Sequence, residues 1–354
     1  MKRSSITRLA KNLLYYSGVI PMLRSRPESS APIIRVLAYH SVSPATATYC
    51  KSGIRVSPAH FDEQMAYLSR HYQIISIDEA MAHLTTARDL PRNAVVITFD
   101  DGYRDNYTYA WPILRKWRAT ATFYVVSSAV TGRQPFWVAR LQQAIMVARD
   151  LTAVLNEFKV PSDRFAGTHE SRQRLIDLIS TLANRAGLDH RNSLLERVFS
   201  ILAVDLAAAD CNPEMLTPAQ VRELSDSGIT IGSHSATHPI LTSLSEDDTT
   251  RELLDSKKDL EAIVERPVVH FAFPNGPGVT NINAATVKLV QAAGYRTAST
   301  SIRGMLGTHT DLFSIPRQNI GDDLNHSDFA FKLEEHKFRY LLFDVAPAGE
   351  SASN

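Results

Sequence analysis

The chain has 354 residues, of which 44% are hydrophobic, and its formal net charge at pH 7 is +1. This length and composition agree with one large domain that buries a substantial core. Because the charge is nearly balanced, there is no electrostatic case for a nucleic-acid partner.

The first 30 residues combine positive charge with an apolar stretch. Four basic side chains precede the mostly apolar residues 13–23, namely Lys2, Arg3, Arg8 and Lys11. The stretch is too short to span a bilayer as a helix, and no clear signal-peptide cleavage site follows it. It predicts an amphipathic helix in peripheral contact with an anionic membrane surface. A helix packed on the folded domain explains the same pattern equally well.

The two cysteines and the N-terminal segment together indicate where in the cell the protein is expected. The two cysteines, Cys50 and Cys211, show neither metal-site spacing nor a disulfide framework. The sequence leaves a single disulfide bond between them as an alternative. They favour a reduced, intracellular setting. We therefore expect a cytoplasmic protein, or one at the cytoplasmic face of the membrane, and a poor secretion signal is the third alternative.

Residues 31–345 alternate between strand-like and helix-like segments. Strand-like runs occur at residues 33–39, 74–77, 94–99 and 121–126. Ser57-Pro58 and Thr217-Pro218 each predict a helix start, with an N-cap followed by proline at the first helical position. The alternation is typical of an α/β fold of the barrel type. Residues 346–354 predict a disordered tail.

A helical insertion interrupts this alternation at about residues 131–215, where few β-rich runs occur. Such an insertion could cover the mouth of an active site and select the substrate. It could equally be a packing appendage or an oligomer surface.

Two short strings carry most of the chemical information. Thr-Phe-Asp-Asp-Gly at residues 98–102 and His-Ser-Ala-Thr-His at residues 234–238 both follow strand-like runs, so they are expected at the same edge of one parallel sheet. Two imidazoles and one carboxylate would complete the three protein ligands of a catalytic zinc-type site. The adjacent Asp100 could then take a proton from water. Each string alone is also compatible with a turn or with histidines on a helix face.

With these two strings the sequence resembles the polysaccharide deacetylases of the NodB-homology type, also called carbohydrate esterase family four. The resemblance covers roughly residues 34–320, and the strings match the family's first and second motifs. It implies a distorted (β/α)7-type barrel interrupted by the helical insertion. It further implies Asp100 as general base, and Asp101, His234 and His238 as metal ligands.

The family's third motif, usually Arg-x-Pro-Tyr, corresponds to residues 271–276 with two departures. The arginine is replaced by Ala272 and the tyrosine by Asn275. If the correspondence holds, the backbone N–H of Asn275 donates to the oxyanion. Another group must then orient Asp100, and Arg317 is a candidate because a guanidinium can hold a carboxylate through two hydrogen bonds. A surface arginine explains Arg317 equally well.

The general acid has two candidates. Residues 306–309 read Leu-x-x-His, like a late motif of the family, and offer His309; an exposed loop explains them as well. Residues 37–40 read Leu-x-x-His too, and Tyr39-His40-x-Val resembles the N-terminal segment of the branch that deacetylates poly-N-acetylglucosamine. His40 is therefore preferred. Tyr103 and Trp137 are either sugar-stacking residues or ordinary packing.

The predicted function is metal-dependent hydrolysis of the N-acetyl group of an amino sugar in a glycan. The metal is expected to be Zn²⁺, although Co²⁺, Ni²⁺ and Fe²⁺ suit similar nitrogen and oxygen ligands. A first alternative is a deacylase or deformylase of a lipid-linked sugar at the cytoplasmic membrane face. A second is a non-catalytic glycan-binding protein on the same scaffold.

Overall fold

The computed structural model describes residues 11–25, 33–86, 90–203, 215–275, 281–321 and 324–343. The strands are β1 (Ile33–Tyr39), β2 (Ser41–Val42), β3 (Arg55–Val56), β4 (Gln73–Ile74), β5 (Ala94–Phe99), β6 (Thr122–Val125), β7 (Thr230–Ser233), β8 (His270–Ala272), β9 (Thr297–Ser299), β10 (Leu306–Gly307) and β11 (Gln318–Asn319). The helices are α1 (Val19–Ser25), α2 (Pro58–His71), α3 (Ile77–Thr85), α4 (Trp111–Lys116), α5 (Ser127–Val130), α6 (Trp137–Val147), α7 (Thr152–Glu157), α8 (His169–Arg185), α9 (Leu188–Leu202), α10 (Pro218–Asp226), α11 (Glu246–Val264), α12 (Ala284–Ala292) and α13 (His326–Phe343).

The main sheet is a curled parallel sheet whose two edges are joined by one segment. Strands β1, β5, β6, β7, β8 and β9 lie side by side in that order, and each neighbouring pair is parallel. After the short antiparallel β10, Ile315 bridges to Ser299 of β9 and Gln318 pairs with Leu37 of β1. The predicted distorted barrel is confirmed. The closing segment carries Arg317 between the two edges, at a place where its side chain is 1% exposed.

Local signals at the helix starts explain where most helices begin. The Ser57 hydroxyl accepts from the backbone N–H of His60, and the Thr217 hydroxyl accepts from that of Gln220, so both predicted starts are confirmed. The strand predicted at residues 74–77 is wrong beyond Ile74. Ser76 caps α3 there and forms a reciprocal capping box with Glu79, which turns the chain into a helix.

The N-terminal segment packs on the barrel over its described residues. Residues 11–16 and α1 are helical, and Ile20 and Leu23 are fully buried. The Lys337 ammonium of α13 donates to the Leu23 carbonyl at 3.1 Å. None of the described helices is long and apolar enough to span a membrane. Residues 1–10, Cys211 and the predicted tail at 346–354 lie outside the described residues.

The insertion between β6 and β7 forms a small helical unit with its own core. Helices α6 to α9 bury apolar side chains against one another, among them Trp137, Leu141, Ile145, Ile179 and Val198. The unit contacts the barrel at the carboxyl ends of the strands, where Arg191 and Asn184 each reach a loop that follows a strand.

Candidate metal and catalytic site

The two adjacent carboxylates sit in a tight turn at the end of β5. The Asp100 N–H donates to the carbonyl of Tyr39 at 2.9 Å, which extends the pairing of β1 and β5. Asp101 and Gly102 then adopt left-handed backbone conformations with φ of +75° and +85°. A Cβ atom on Gly102 would lie 3.0 Å from Cγ1 of Val125, so both the backbone angle and the space favour glycine here. The turn leaves Asp100 and Asp101 buried.

The two histidines sit in the loop that follows β7. The His234 N–H donates to the carbonyl of Val125 at 2.9 Å, which places the loop beside the carboxylate turn. Ser235 and His238 have φ of +63° and +59°, and the Ser235 hydroxyl accepts from the His238 N–H at 3.0 Å. The result is that Nε2 of His234 and Nε2 of His238 lie 3.5 and 3.4 Å from Oδ1 of Asp101.

This cluster fits a small divalent cation. Ligands about 2.0–2.1 Å from a tetrahedral zinc ion lie roughly 3.3 Å from one another, close to the two measured spacings. Nδ1 of His234 bonds the carbonyl of Ala272 at 2.8 Å, which requires the proton on Nδ1 and leaves the Nε2 lone pair for a ligand. Nδ1 of His238 has no hydrogen-bond partner among the described residues.

The pKa shifts of the two histidines and of Asp101 also fit a site for a divalent cation. Burial lowers the pKa of His234 and of His238, so both imidazoles are held neutral, as a metal ligand must be. Burial and the neighbouring charge of Asp100 raise the pKa of Asp101 well above its ordinary range. A nearby positive charge, such as that of a bound divalent cation, would lower this pKa and favour the ionised carboxylate.

Asp100 is held by a buried arginine from the segment that joins the sheet edges. Nη1 and Nη2 of Arg317 donate to Oδ1 and Oδ2 of Asp100, each at 2.7 Å. Nε of Arg317 donates to the carbonyl of Thr300 at 2.9 Å, which fixes the plane of the guanidinium. Burial by itself would raise the pKa of Asp100, but Arg317 and His234 lower it well below its ordinary value. The sequence left Arg317 as either the residue that orients Asp100 or a surface arginine. Its burial and its two hydrogen bonds to Asp100 support the first explanation.

The two general-acid candidates lie at opposite ends of β1. Nε2 of His40, just after β1, is 3.8 Å from Oδ2 of Asp100. His309 is exposed and follows β10, which pairs with Ile33 and Ile34 at the start of β1. The structure thus brings His40 to Asp100 and leaves His309 away from it. Burial lowers the pKa of His40 to about 4, so the resting imidazole is neutral.

A buried carboxylate that the sequence reasoning missed holds the loop after His40. Asp105 accepts hydrogen bonds from the Ser41 hydroxyl at 2.6 Å, the Tyr49 hydroxyl at 2.8 Å and the Val42 N–H at 3.1 Å. Burial raises the pKa of Asp105 to about 6, and these donors oppose the rise. No local pattern marks Asp105, because these partners lie 56 to 64 positions earlier in the chain.

The remaining predicted residues have mixed outcomes. Asn275 has φ of +70° and its side-chain amide exchanges two hydrogen bonds of 3.3 Å with Asn184, while residues 276–280 lie outside the described part of the chain. Its role as oxyanion donor stays a prediction. Tyr103 and Trp137 are 1% and 6% exposed and belong to apolar clusters. Their burial favours packing as the explanation for both rings, and sugar stacking stays a prediction.

Comparisons with known proteins found one family model and several similar proteins. A family model described as Polysaccharide deacetylase matches residues 87–298. YxkH of Bacillus subtilis strain 168, whose name places it among the polysaccharide deacetylases, is 22% identical over 303 residues, covering 85% of this chain and 76% of that protein. The poly-beta-1,6-N-acetyl-D-glucosamine N-deacetylase of Escherichia coli K12 is 35% identical over 95 residues, covering 27% of this chain and 14% of that protein. The solved structure of the Streptococcus pyogenes deacetylase PplD in complex with acetate matches with a TM-score of 0.57 at 20% identity, covering 86% of this chain and 99% of that one.

Proposed function

The chain belongs to the polysaccharide deacetylase family, whose members hydrolyse amide bonds, and from that membership we propose that it is a metal-dependent N-deacetylase of a poly-N-acetylglucosamine glycan. The observation that carries the metal dependence is the buried cluster of Asp101, His234 and His238, whose ligand atoms all lie within 4.8 Å of one another. Membership in a family of hydrolases argues against the alternative of a binding protein without activity. Zn²⁺ is the proposed ion because of the two imidazoles and one carboxylate.

The β-1,6-linked polymer is proposed on two grounds. One is the 35% identity to the poly-beta-1,6-N-acetyl-D-glucosamine N-deacetylase, although that match spans only 95 residues. The other is the His40 segment directly after β1, which lies at the site. The name of the Escherichia coli relative specifies a polymer, which favours a glycan polymer over a lipid-linked sugar as the substrate.

The roles of the side chains follow from their positions. Asp101, His234 and His238 would hold the ion, which when bound acidifies a water and polarises the acetyl carbonyl. Asp100 takes the proton of the attacking water, because each of its oxygens keeps a lone pair beside the bond from Arg317. That proton can pass to His40, 3.8 Å away, and from His40 to the leaving nitrogen, giving acetate and a free amine. The Asn275 N–H would stabilise the oxyanion.

Acetate release tests this proposal. We expect the metal-loaded protein to release acetate from β-1,6-linked N-acetylglucosamine oligomers, chelation to abolish the release, and added Zn²⁺, Co²⁺, Ni²⁺ or Fe²⁺ to restore it. Release that survives complete metal removal would contradict metal dependence. A preference for β-1,4-linked oligomers would contradict the proposed linkage, and release of formate or a longer acyl group alone would contradict the acetyl substrate.

The two histidines give a matched pair of variants for the general acid. His40→Gln should lower kcat by about 10²-fold or more, because it removes the proton donor while keeping a similar volume. His309→Gln, at the other end of β1, should stay within about twofold of the wild type. The check is steady-state acetate release at saturating oligomer. Equal losses in the two variants, or a loss in His309→Gln alone, would reject His40 as the acid.

A further inference from the structure

The helical insertion contacts the histidine loop through Phe136, whose ring packs edge to face against the His238 ring, and through Arg191. Arg191 of α9 is 3% exposed and lies over the Trp137 ring, 5.8 Å from its centroid. Its Nη1 donates to the carbonyl of Thr237 at 3.2 Å, and its Nη2 to the Thr237 hydroxyl at 3.0 Å. Thr237 directly precedes His238. The arginine therefore holds the peptide group that sets the position of one member of the metal-binding cluster.

The same threonine is held from the opposite side by the barrel. Glu252 of α11 is 4% exposed, and it accepts from the Thr237 N–H at 2.8 Å and from the Thr237 hydroxyl at 2.6 Å. The N–H, the hydroxyl and the carbonyl of Thr237 are thus all engaged by charged side chains. Since charge-assisted hydrogen bonds are about twice as strong as neutral ones, this threonine is clamped between two elements.

The conformation of the loop explains why a clamp is needed. Ser235 and His238 are both left-handed, an unfavourable arrangement for residues other than glycine because Cβ then lies too close to the following carbonyl oxygen. Such backbone persists only where the surroundings over-determine it. Inside the loop, one hydrogen bond from the His238 N–H to the Ser235 hydroxyl contributes. From outside, the backbone N–H groups of Ser127 and Ser128 donate to the carbonyls of Ser235 and Ala236 at 3.3 and 3.1 Å. Arg191 and Glu252 add the constraint at Thr237, the residue directly before His238.

The insertion also reaches the neighbouring loop. Asn184 of α8 exchanges two side-chain hydrogen bonds of 3.3 Å with Asn275, which follows β8. The helical unit therefore touches the loops after two adjacent strands of the catalytic edge. By contrast, Arg197 lies in the same helix as Arg191 but pairs with Glu157, inside the insertion.

We propose that Arg191 is a positioning residue for the metal centre: the insertion fixes the Thr237 peptide against Glu252 and so holds Nε2 of His238 within ligand distance of Asp101. The inference rests on the proposed metal-dependent function. It assigns the insertion a role in building the site, in addition to any part in substrate selection. Loss of the two guanidinium bonds should let the left-handed loop relax and weaken metal binding.

Metal affinity measured on full-length variants tests the proposal. Arg191→Met keeps much of the aliphatic stem but removes the donors, and Arg191→Lys keeps the charge without the planar fork. Arg197→Met is the matched control because its side chain is 68% exposed and touches neither loop. Competition with a chromophoric chelator for Co²⁺ or Zn²⁺ should show about 10-fold or greater weakening for Arg191→Met, less for Arg191→Lys, and no more than twofold for Arg197→Met.

The outcomes separate this inference from the proposed function. Wild-type protein that binds neither ion would overturn both. Tight binding by wild type and equally tight binding by folded Arg191→Met would overturn the positioning role alone, as would equal weakening in Arg197→Met. Far-ultraviolet circular dichroism checks whether each variant folds. If Arg191→Met does not fold, the metal affinities of Arg191→Lys and Glu252→Gln are compared with that of the wild type instead. Unchanged affinity in both of those variants would also reject the clamp.

Discussion

Asp100→Asn should lower kcat for acetate release by about 10²- to 10⁴-fold while leaving metal affinity within about threefold of the wild type. The carboxamide fills the same space, and its oxygen can still accept from Arg317, but it cannot take a proton from water. Metal binding should survive because the candidate ligand cluster consists of Asp101, His234 and His238. The measurement pairs steady-state acetate release with chelator competition on the same preparation.

A second carboxylate–imidazole pair provides the control for this variant. Oδ1 of Asp78 lies 2.9 Å from Nε2 of His270 at the start of β8, the opposite end of the strands from the site. Asp78→Asn should therefore leave kcat within about twofold. Loss of bound metal in Asp100→Asn would instead make Asp100 a ligand. Retention of near-normal kcat by the metal-loaded variant would remove its assignment as base.

The sequence predicted the features that local residue patterns encode, such as strands and the motifs that follow them. The strands at residues 33–39 and 94–99 match β1 and β5 residue for residue, because short, mostly apolar runs that end at polar residues are typical of buried strands. The two motif strings directly follow β5 and β7, which flank β6 in one parallel sheet, so their carboxyl ends lie at the same edge. That topology brings the two strings together, and the family resemblance assigns Asp101 rather than Asp100 to the ligand set with His234 and His238.

What could not be predicted depends on contacts between distant residues. The sequence left Arg317 open between a tether and a surface side chain, since its partner Asp100 lies 217 positions away. Nothing in the insertion marks Arg191, because its partner Thr237 is 46 positions further on. The amphipathic pattern of the N-terminal segment fits a membrane and a protein surface equally, and only the structure shows that Ile20 and Leu23 are buried while Leu13, Tyr16 and Met22 are exposed.

Arg317→Met should reduce both stability and activity. Removing one partner of a buried ion pair leaves the other charge uncompensated, which typically lowers the free energy of unfolding by about 3–5 kcal/mol. Asp100 would also lose the two bonds that fix its orientation toward water, so kcat should fall by at least about 10-fold beyond any loss of folded protein. Urea unfolding and acetate release per folded molecule measure the two effects separately.

The double variant Arg317→Met with Asp100→Asn distinguishes a tether from simple packing. If the uncompensated carboxylate causes the instability, neutralising it should restore much of the free energy of unfolding without restoring kcat. Arg35→Met is the matched control, because Arg35 is fully buried, donates to Glu334, and lies in β1 at the end away from His40. It should lower stability comparably yet leave kcat per folded molecule within about twofold. If the two arginine variants lost kcat equally, Arg317 would be a structural residue, and the orientation of Asp100 would need another source.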